Sequence, residues 1–434
     1  MNDIAGIPYF VAEFDINGNP KNAVTLPNDV TDVIVMSHGW NNNREDAESL
    51  YKGIFTSFSA VGGAPANRKV AIVGVIWPSK RFDELVAATA ANEAGGAAAL
   101  HSKASKESDA MLVARLREMA GFFTTDAQRA ALRELEALIP DLQDKKSAQR
   151  AFVEKVRSLL DPGAADREDA SKTFFADDGA EIMQRLTIDE DDLDEALTEE
   201  GGSASLPLGV GVVKPATGGA AGFSIKGFLS GVKAAAMNVL NFGTYYEMKA
   251  RAGKVGANGV APFIDALPAH VQRIHLVGHS FGGRVVTAAA ASSTTDRIRS
   301  MSLLQTAFSH NGFSKTQNGF FRAVVDKQRV KGPIVVTHSV KDKAVGVAYP
   351  MASRINGDTT AALGDKNDKF GGIGRNGAQH MAADEVSEGK LLPAGAAYQF
   401  SAGKFFNLEA AEIIKGHSDI TGKEVAHAIR SAMS

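Results

Sequence analysis

A serine flanked by glycines stands where a buried strand is expected to give way to a helix. The pentapeptide Gly278-His279-Ser280-Phe281-Gly282 follows the apolar run Arg273–Val277 and leads into the helical stretch Phe281–Ala291. A nucleophile elbow requires this strand–turn–helix context. The glycines remove Cβ atoms that would clash in so sharp a turn, and the helix N-terminus would stabilise negative charge near the hydroxyl. Ser280 is therefore the candidate nucleophile; the alternative is a serine that only caps the helix.

With this pentapeptide the chain resembles the α/β-hydrolase superfamily, specifically its esterase- and lipase-like serine hydrolases. The resemblance covers 31–78 and 245–434. In that family a His-Gly segment after an early strand supplies one N–H of the oxyanion hole, and here Ser37-His38-Gly39-Trp40 follows the strand Val33–Met36. The resemblance implies that the backbone N–H groups of Trp40 and Phe281 form the hole. His38, Gly39 and His279 would flank the site. The His-Gly pair alone could also be an ordinary turn.

The resemblance also implies the order nucleophile, acid, histidine along the chain. The acid should lie in a loop after a later strand, and Asp342 follows the strand Pro333–Thr337. Asp342 would accept the imidazole N–H and stabilise the imidazolium. Alternatively, Asp342 is a solvated loop carboxylate. The other candidates for the acid are Asp326, Asp365 and Asp368.

Three histidines follow Asp342 in the sequence. His417 lies in a loop just ahead of the C-terminal helix Lys423–Met433, where the resemblance places the catalytic base. His380, in a Gly- and Asn-rich region, is the alternative. His427 falls inside the helix and is interpreted as a packing or surface residue. His38 and His279 precede the acid, so neither is expected to be the base.

These residues need a sheet that brings the ends of separate strands together. Short apolar runs alternate with helical stretches, which predicts an α/β fold with a doubly wound, mostly parallel sheet. We also expect an antiparallel edge hairpin from Pro8–Asp15 and the turn Asn17–Pro20. The strands are predicted at Val33–Met36, Val70–Trp77, Arg273–Val277, Met301–Gln305 and Pro333–Thr337, and the helices at Glu45–Phe58, Phe281–Ala291 and Lys423–Met433.

Almost 200 residues separate the strand ending at Trp77 from the strand beginning at Arg273, many more than a crossover needs. We predict an α/β-hydrolase core from 1–78 and 245–434, with a largely helical cap or lid inserted at 79–244. Apolar residues between Phe223 and Leu240 recur at i, i+3, i+4 spacing. This segment could line an acyl pocket or touch a lipid surface transiently, or it could be a core-facing helix of the cap.

Composition excludes several functional classes. The 434 residues carry a net charge of −3 and no cysteine, which argues against a nucleic-acid binder and excludes disulfides and a cysteine nucleophile. Gly372–Gly377 matches G-x-G-x-x-G, but no apolar strand precedes it and no helix is clearly opened by it, so it is interpreted as a flexible loop. No other nucleotide or metal motif is found, and no cofactor or metal is expected. Residues 1–11 lack a signal-peptide pattern, which predicts a cytoplasmic protein and leaves leaderless export open.

The sequence hypothesis is a cofactor-independent serine hydrolase that cleaves carboxylic esters through an acyl-enzyme, with Ser280, His417 and Asp342 as the triad. The apolar insert favours an acyl or lipid-like ester over a small polar one. An amidase, peptidase or acyltransferase would use the same residues. A rival of another class is a non-catalytic module of this fold that binds a partner through its cap. The oligomeric state is not predicted.

Overall fold

The computed structural model describes residues 2–79, 97–166, 169–187, 231–342, 352–357, 366–367 and 369–433. The chain divides into two compact units. One unit consists of Met1–Lys80, Met248–Tyr349 and Ala362–Ser434. The other consists of Arg81–Glu247 and Pro350–Ala361. In the part of the chain that the structure describes, all strands belong to the first unit and the second is helical.

The described strands form one nine-stranded sheet in the order β1-β2-β4-β3-β5-β6-β7-β9-β8. β1 and β2 pair antiparallel, and every other pair is parallel. Every residue of β3 and β4 is buried, as expected for strands that are covered on both faces. The predicted α/β class with a mostly parallel sheet is confirmed. The strands are β1 (Asn2–Ile4), β2 (Ile7–Glu13), β3 (Asp32–Ser37), β4 (Val70–Ile76), β5 (Arg273–His279), β6 (Ile298–Leu304), β7 (Ile334–His338), β8 (Val386–Lys390) and β9 (Phe405–Glu409).

The direction of the strand order reverses at β3. The chain passes from β3 to β4 on one side and later returns to place β5 on the other side of β3. Open α/β sheets bind ligands at the carboxyl ends of the strands at such a switch point. Ser37 stands opposite Gly278 in the register. The segments that follow β3 and β5 therefore begin side by side.

Helices cover the sheet and position these segments. α1 and α12 pack together, and their apolar residues form one core cluster with Ile34 and Met36 of β3. α9 follows β5 directly and packs against it. The described helices are α1 (Arg44–Ala60), α2 (Ala97–Met119), α3 (Asp126–Leu138), α4 (Lys146–Leu159), α5 (Ser171–Ala176), α6 (Gly179–Arg185), α7 (Gly231–Val255), α8 (Ala261–Asp265), α9 (Phe281–Ser292), α10 (Arg322–Asp326), α11 (Ile373–Asn376) and α12 (Lys423–Ala432). None of these described helices combines the length and apolar character that crossing a membrane requires.

The predicted edge hairpin is wrong in the strand that pairs with β2. β2 pairs antiparallel with β1 through Ala5 and Gly6, and parallel with β4 on its other side. Ala5 and Gly6 have φ values of 50° and 80°, and positive φ at both central residues is typical of a tight hairpin turn. The expected turn at Asn17–Pro20 does form, closed by the antiparallel bridge between Phe14 and Pro20 and by backbone hydrogen bonds from Asp15 N to Asn19 O and from Lys21 N to Glu13 O, but no strand described after it pairs antiparallel with β2.

The second unit has a helical core of aromatic and aliphatic side chains. Phe174 and Phe242 are buried with ring centroids 4.8 Å apart. Of the apolar segment between Phe223 and Leu240, residues 223–230 lie outside the described residues. Met237 and Leu240, in α7, are buried. The described half of that segment therefore fits a core-facing helix better than an exposed lipid-binding face.

Candidate active site

Ser280 occupies a strained turn between β5 and α9. Its φ of 55° and ψ of −126° are unusual for a residue with a side chain. Three backbone hydrogen bonds hold this conformation: its N–H donates to Leu304 O at 3.1 Å, and its carbonyl accepts from Gly283 N at 3.0 Å and Ala307 N at 3.1 Å. The strain is thus fixed by the ends of neighbouring elements, as a nucleophile elbow requires.

The glycines around Ser280 are needed for close backbone approach. A Cβ on Gly278 would lie 2.5 Å from Gly282 O, and one on Gly282 would lie 2.1 Å from Ser37 O. Gly283, just beyond the pentapeptide, would place a Cβ 2.2 Å from Thr306 Oγ1. No side chain fits at these positions, so the elbow packs directly on the ends of β3 and β6.

The segment after β3 reaches the candidate nucleophile. A Cβ on Gly39 would lie 2.6 Å from Ser280 Cβ and 3.1 Å from its Oγ. Trp40 and Phe281, the predicted oxyanion-hole residues, are neighbours whose ring centroids lie 6.1 Å apart in an edge arrangement. Phe281 begins α9, and the first N–H groups of a helix are not used by the helix itself. The structure therefore brings both predicted residues to the turn at Ser280.

His38 is a buried, neutral support of this segment. Burial lowers its pKa to about 4. Nδ1 donates to Gly39 O at 2.8 Å, which leaves Nε2 to accept from the backbone N–H of Trp77 at 3.3 Å. Its own backbone N–H donates to Tyr51 Oη at 2.9 Å. His38 thus fixes the backbone ahead of Trp40 and is not available as a base.

Asp342 and His417 form a hydrogen-bonded pair. His417 Nδ1 lies 2.9 Å from Asp342 Oδ2 and 3.1 Å from Oδ1. Asp342 follows β7 and is completely buried, which excludes a solvated loop carboxylate. His417 lies between β9 and α12 with its side chain 21% exposed. Because the carboxylate accepts the Nδ1 proton, Nε2 is left as the basic nitrogen.

His279 links Ser280 to the histidine of that pair. The two imidazole ring centroids are 4.9 Å apart, and His279 Nε2 donates to His417 O at 2.9 Å. Burial, reinforced by the neighbouring His417, lowers the pKa of His279 to about 3. Its buried Nδ1 has no partner among the described residues. His279 is therefore a neutral donor. Because it directly precedes Ser280, its hydrogen bond holds the backbone of His417 near the turn at Ser280.

Gln305 also belongs to the candidate site, as a partner of Asp342, although the sequence pattern does not single it out. Its Nε2 donates to Asp342 Oδ2 at 3.1 Å and to Gly374 O at 2.9 Å, and the residue is fully buried. The strand prediction included Gln305, but β6 ends at Leu304, and Gln305 has a φ of 42°. The only sequence feature that could have pointed to Gln305 is its polar side chain directly after the apolar strand β6. Gln305 orients the carboxylate of Asp342.

The G-x-G-x-x-G segment packs beneath Gln305, so its interpretation as a flexible loop is wrong. It contains the short helix α11, and its Gly374 is buried. A Cβ on Gly374 would lie 2.4 Å from the carbonyl carbon of Gln305. Gly374 O accepts from the Gln305 amide and from the backbone N–H of Ser339, near Asp342. Gly374 therefore allows a close backbone approach to Gln305.

The alternative candidates lie elsewhere or have other partners. His380 is exposed, and its Nδ1 contacts the amide oxygen of Asn311 at 2.7 Å, with no carboxylate partner. His427 is in α12, with Nε2 2.6 Å from Ala396 O. Asp326 is more than half exposed and pairs with Arg322. The remaining candidates for the acid, Asp365 and Asp368, lie outside the described residues.

No cluster of three or more His, Asp or Glu side chains suited to a metal ion is found in the part of the chain that the structure describes. Comparisons with known proteins give no match: no protein-family model, no curated protein and no solved structure is similar to this chain. Function therefore has to be argued from the site alone.

Proposed function

We propose that this protein is a serine hydrolase of the α/β-hydrolase type that cleaves carboxylic esters. The observation that carries the proposal is the hydrogen bond between His417 and the buried Asp342, together with the contact of His417 with His279, the residue before a serine in a strained strand–helix turn. A carboxylate that fixes the tautomer of a histidine, next to an activated hydroxyl, is the recurring arrangement of nucleophilic acyl transfer.

In the proposed mechanism Ser280 Oγ attacks the ester carbonyl carbon while His417 Nε2 takes the hydroxyl proton. Asp342 stabilises the imidazolium that forms, and Gln305 keeps the carboxylate in place. The oxyanion is bound by backbone N–H groups of Trp40 and Phe281, each contributing about 3 kcal/mol to transition-state stabilisation. His417 then protonates the leaving alkoxide. Water, deprotonated by His417, attacks the acyl-enzyme and releases the acid and Ser280.

The substrate class is proposed from the apolar character around the serine. Trp40 follows Gly39, which abuts Ser280, and Phe281 follows Ser280 itself; the two rings contact each other, and aromatic residues at this turn favour an ester with an apolar acyl chain over a small polar ester. In this proposal the segment 79–244 acts as the cap that the sequence predicts and selects the acyl chain. An amidase or acyltransferase would use the same groups, and substrate comparison separates these reactions.

The proposal is tested by hydrolysis of p-nitrophenyl esters of increasing chain length. We expect turnover that rises from acetyl to medium-length acyl chains, and a loss of about 10³-fold or more in kcat for Ser280→Ala or His417→Ala. His380→Ala is the matched control, because this exposed histidine has only a neutral partner, and it should retain activity. Loss of activity in His380→Ala with retention in His417→Ala would contradict the assignment.

A non-catalytic binding module is the rival. Such a module needs neither a strained serine nor a buried carboxylate aligned on a histidine, and both cost free energy in the folded state. If wild-type protein shows no turnover of any ester or anilide and Ser280→Ala is more stable without loss of any activity, the rival is favoured.

A further inference from the structure

A cavity of about 380 Å³ lies at the amino end of the sheet. Arg68 precedes β4, Arg273 begins β5, Arg299 is in β6 and Lys331 precedes β7, and all four line the cavity. Ser280 follows the carboxyl end of β5. Because β5 has seven residues, the cavity and Ser280 are separated by roughly 20 Å. The cavity is therefore distinct from the site at Ser280, and ligand binding there would not depend on hydrolase activity.

Two of the four cations contact one carboxylate. Asp32, completely buried at the start of β3, lies 3.6 Å from Arg68 and 3.5 Å from Arg273. Arg68 Nη1 also donates to the carbonyl of Met433. These contacts orient two guanidinium groups in advance. Arg299 and Lys331 have no hydrogen-bond or ion-pair partner for their side chains among the described residues.

Four cationic side chains and, among the described residues, no acidic side chain line the cavity, and the one carboxylate that two of them contact, Asp32, leaves an excess of three positive charges among these five groups. The four side chains come from four separate chain segments, so their convergence is produced by the tertiary fold and not by a local run of basic residues. A concave surface lined by one sign of charge concentrates the field and attracts counter-ions. The planar fork of arginine matches phosphate oxygens in a bidentate geometry.

An aromatic pair forms another part of the cavity wall. The rings of Tyr398 and Phe400 are stacked, with centroids 4.6 Å apart and planes at 14°. Tyr398 Oη is fixed because it accepts from the backbone N–H of Leu392 at 2.8 Å. A rigid aromatic surface beside arginines provides contact for a flat ring. The volume lies in the range of small-molecule sites, about 300–1,000 Å³.

We propose that this cavity binds a phosphorylated small molecule with two or more negative charges and a planar ring, of which a nucleoside diphosphate is the simplest example. The phosphates contact Arg273, Arg299 and Lys331, and the ring packs on the Tyr398–Phe400 wall.

Isothermal titration calorimetry with ADP, pyrophosphate and adenosine tests the proposal. We expect ADP to bind, pyrophosphate to bind about tenfold more weakly, and adenosine not to bind at millimolar concentration. ADP affinity should fall when salt is raised from 0.05 to 0.5 M. Equal affinity for ADP and pyrophosphate would overturn the aromatic contact, and absence of ADP binding would overturn the site.

Substitutions in the cavity lining test whether ADP binds at this position. Arg299→Gln and Lys331→Gln, whose side chains support no other described residue, should each weaken ADP binding about tenfold with the thermal midpoint unchanged. Lys327→Gln is the matched control, because this exposed lysine lies outside the cavity and its loss removes the same charge. An equal effect of Lys327→Gln, or no effect of the two cavity variants, would overturn the assignment.

Discussion

Gly39 offers a test in which a single methyl group is placed against the candidate nucleophile. In Gly39→Ala the new Cβ would lie 2.6 Å from Ser280 Cβ and 3.3 Å from His279 O, whereas ordinary contacts begin near 3.4 Å. The φ of Gly39 is not in the left-handed region, so the substitution acts through space alone. The two segments must separate by about 0.8 Å.

Both segments are held in place, so the displacement reaches the site. Trp77 Nε1 donates to His38 O at 3.1 Å on one side, and three backbone hydrogen bonds fix Ser280 on the other. A misplacement near 1 Å costs about 10²-fold in rate, or about 2.7 kcal/mol of barrier. Overpacking should lower the free energy of unfolding by about 1–3 kcal/mol.

The measurement is kcat/KM for a p-nitrophenyl ester, with the free energy of unfolding obtained from urea denaturation of the same samples. Gly389→Ala is the matched control: its new Cβ would lie 3.7 Å from Leu408 Cδ2, an ordinary contact, on edge strand β8. We expect about a 10²-fold loss in Gly39→Ala and less than about a twofold change in Gly389→Ala. Activity of folded Gly39→Ala within threefold of wild type would refute the reasoning.

Three further predictions concern the groups that support the site. The folded pKa values of His38 and His279, about 4 and about 3, lie below the unfolded value of about 6.5. The stability that depends on their neutral forms is complete above pH 6.5. The free energy of unfolding falls by about 1.4 kcal/mol per pH unit for each histidine as the pH is lowered from 6.5 towards 4. Urea denaturation that shows the same free energy of unfolding at pH 6.5 and pH 5 would contradict this. Tyr51→Phe leaves the His38 N–H and the Val75 carbonyl without their buried partner, and should lower the free energy of unfolding by about 1–3 kcal/mol; a change below about 0.5 kcal/mol would speak against that network. Gln305→Leu removes a donor to Asp342 and should lower kcat about tenfold with KM within threefold, because the buried amide acts through its contact with Asp342. An unchanged kcat in steady-state kinetics would exclude the positioning role.

The sequence predicted the parts of the fold that depend on local pattern. The buried runs of β3, β4 and β5 contain enough β-branched residues to be recognised, and the position of Ser280 between β5 and α9 followed from them. The hairpin of β1 and β2 was not predicted because the two residues that close it, Ala5 and Gly6, carry no strong turn signature as a pair. Their positive φ values are visible only in the structure.

The sequence predicted the proposed catalytic residues of the candidate site but not the residues that position them. Asp342 and His417 are 75 residues apart and their contact is tertiary; they were selected because the resemblance to α/β-hydrolases implies an order of residues that the pattern of strands, loops and helices could be matched to. Gln305 and Gly374 could not be selected, because an amide at a strand end and a glycine in a polar loop have many structural uses. Only the fold shows that Gln305 orients Asp342 and that Gly374 makes room for the backbone of Gln305.

The most direct test of the central claim is labelling of the folded protein with a fluorophosphonate probe, followed by mass spectrometry of the peptide that contains Ser280. We expect a covalent phosphonyl adduct on Ser280 Oγ, formed at least about 10²-fold more slowly in His417→Ala, whose base is missing. Circular dichroism confirms that both samples are folded. An unlabelled Ser280, or a label on another serine at the same rate in both proteins, would contradict the assignment of Ser280 as a nucleophile activated by His417.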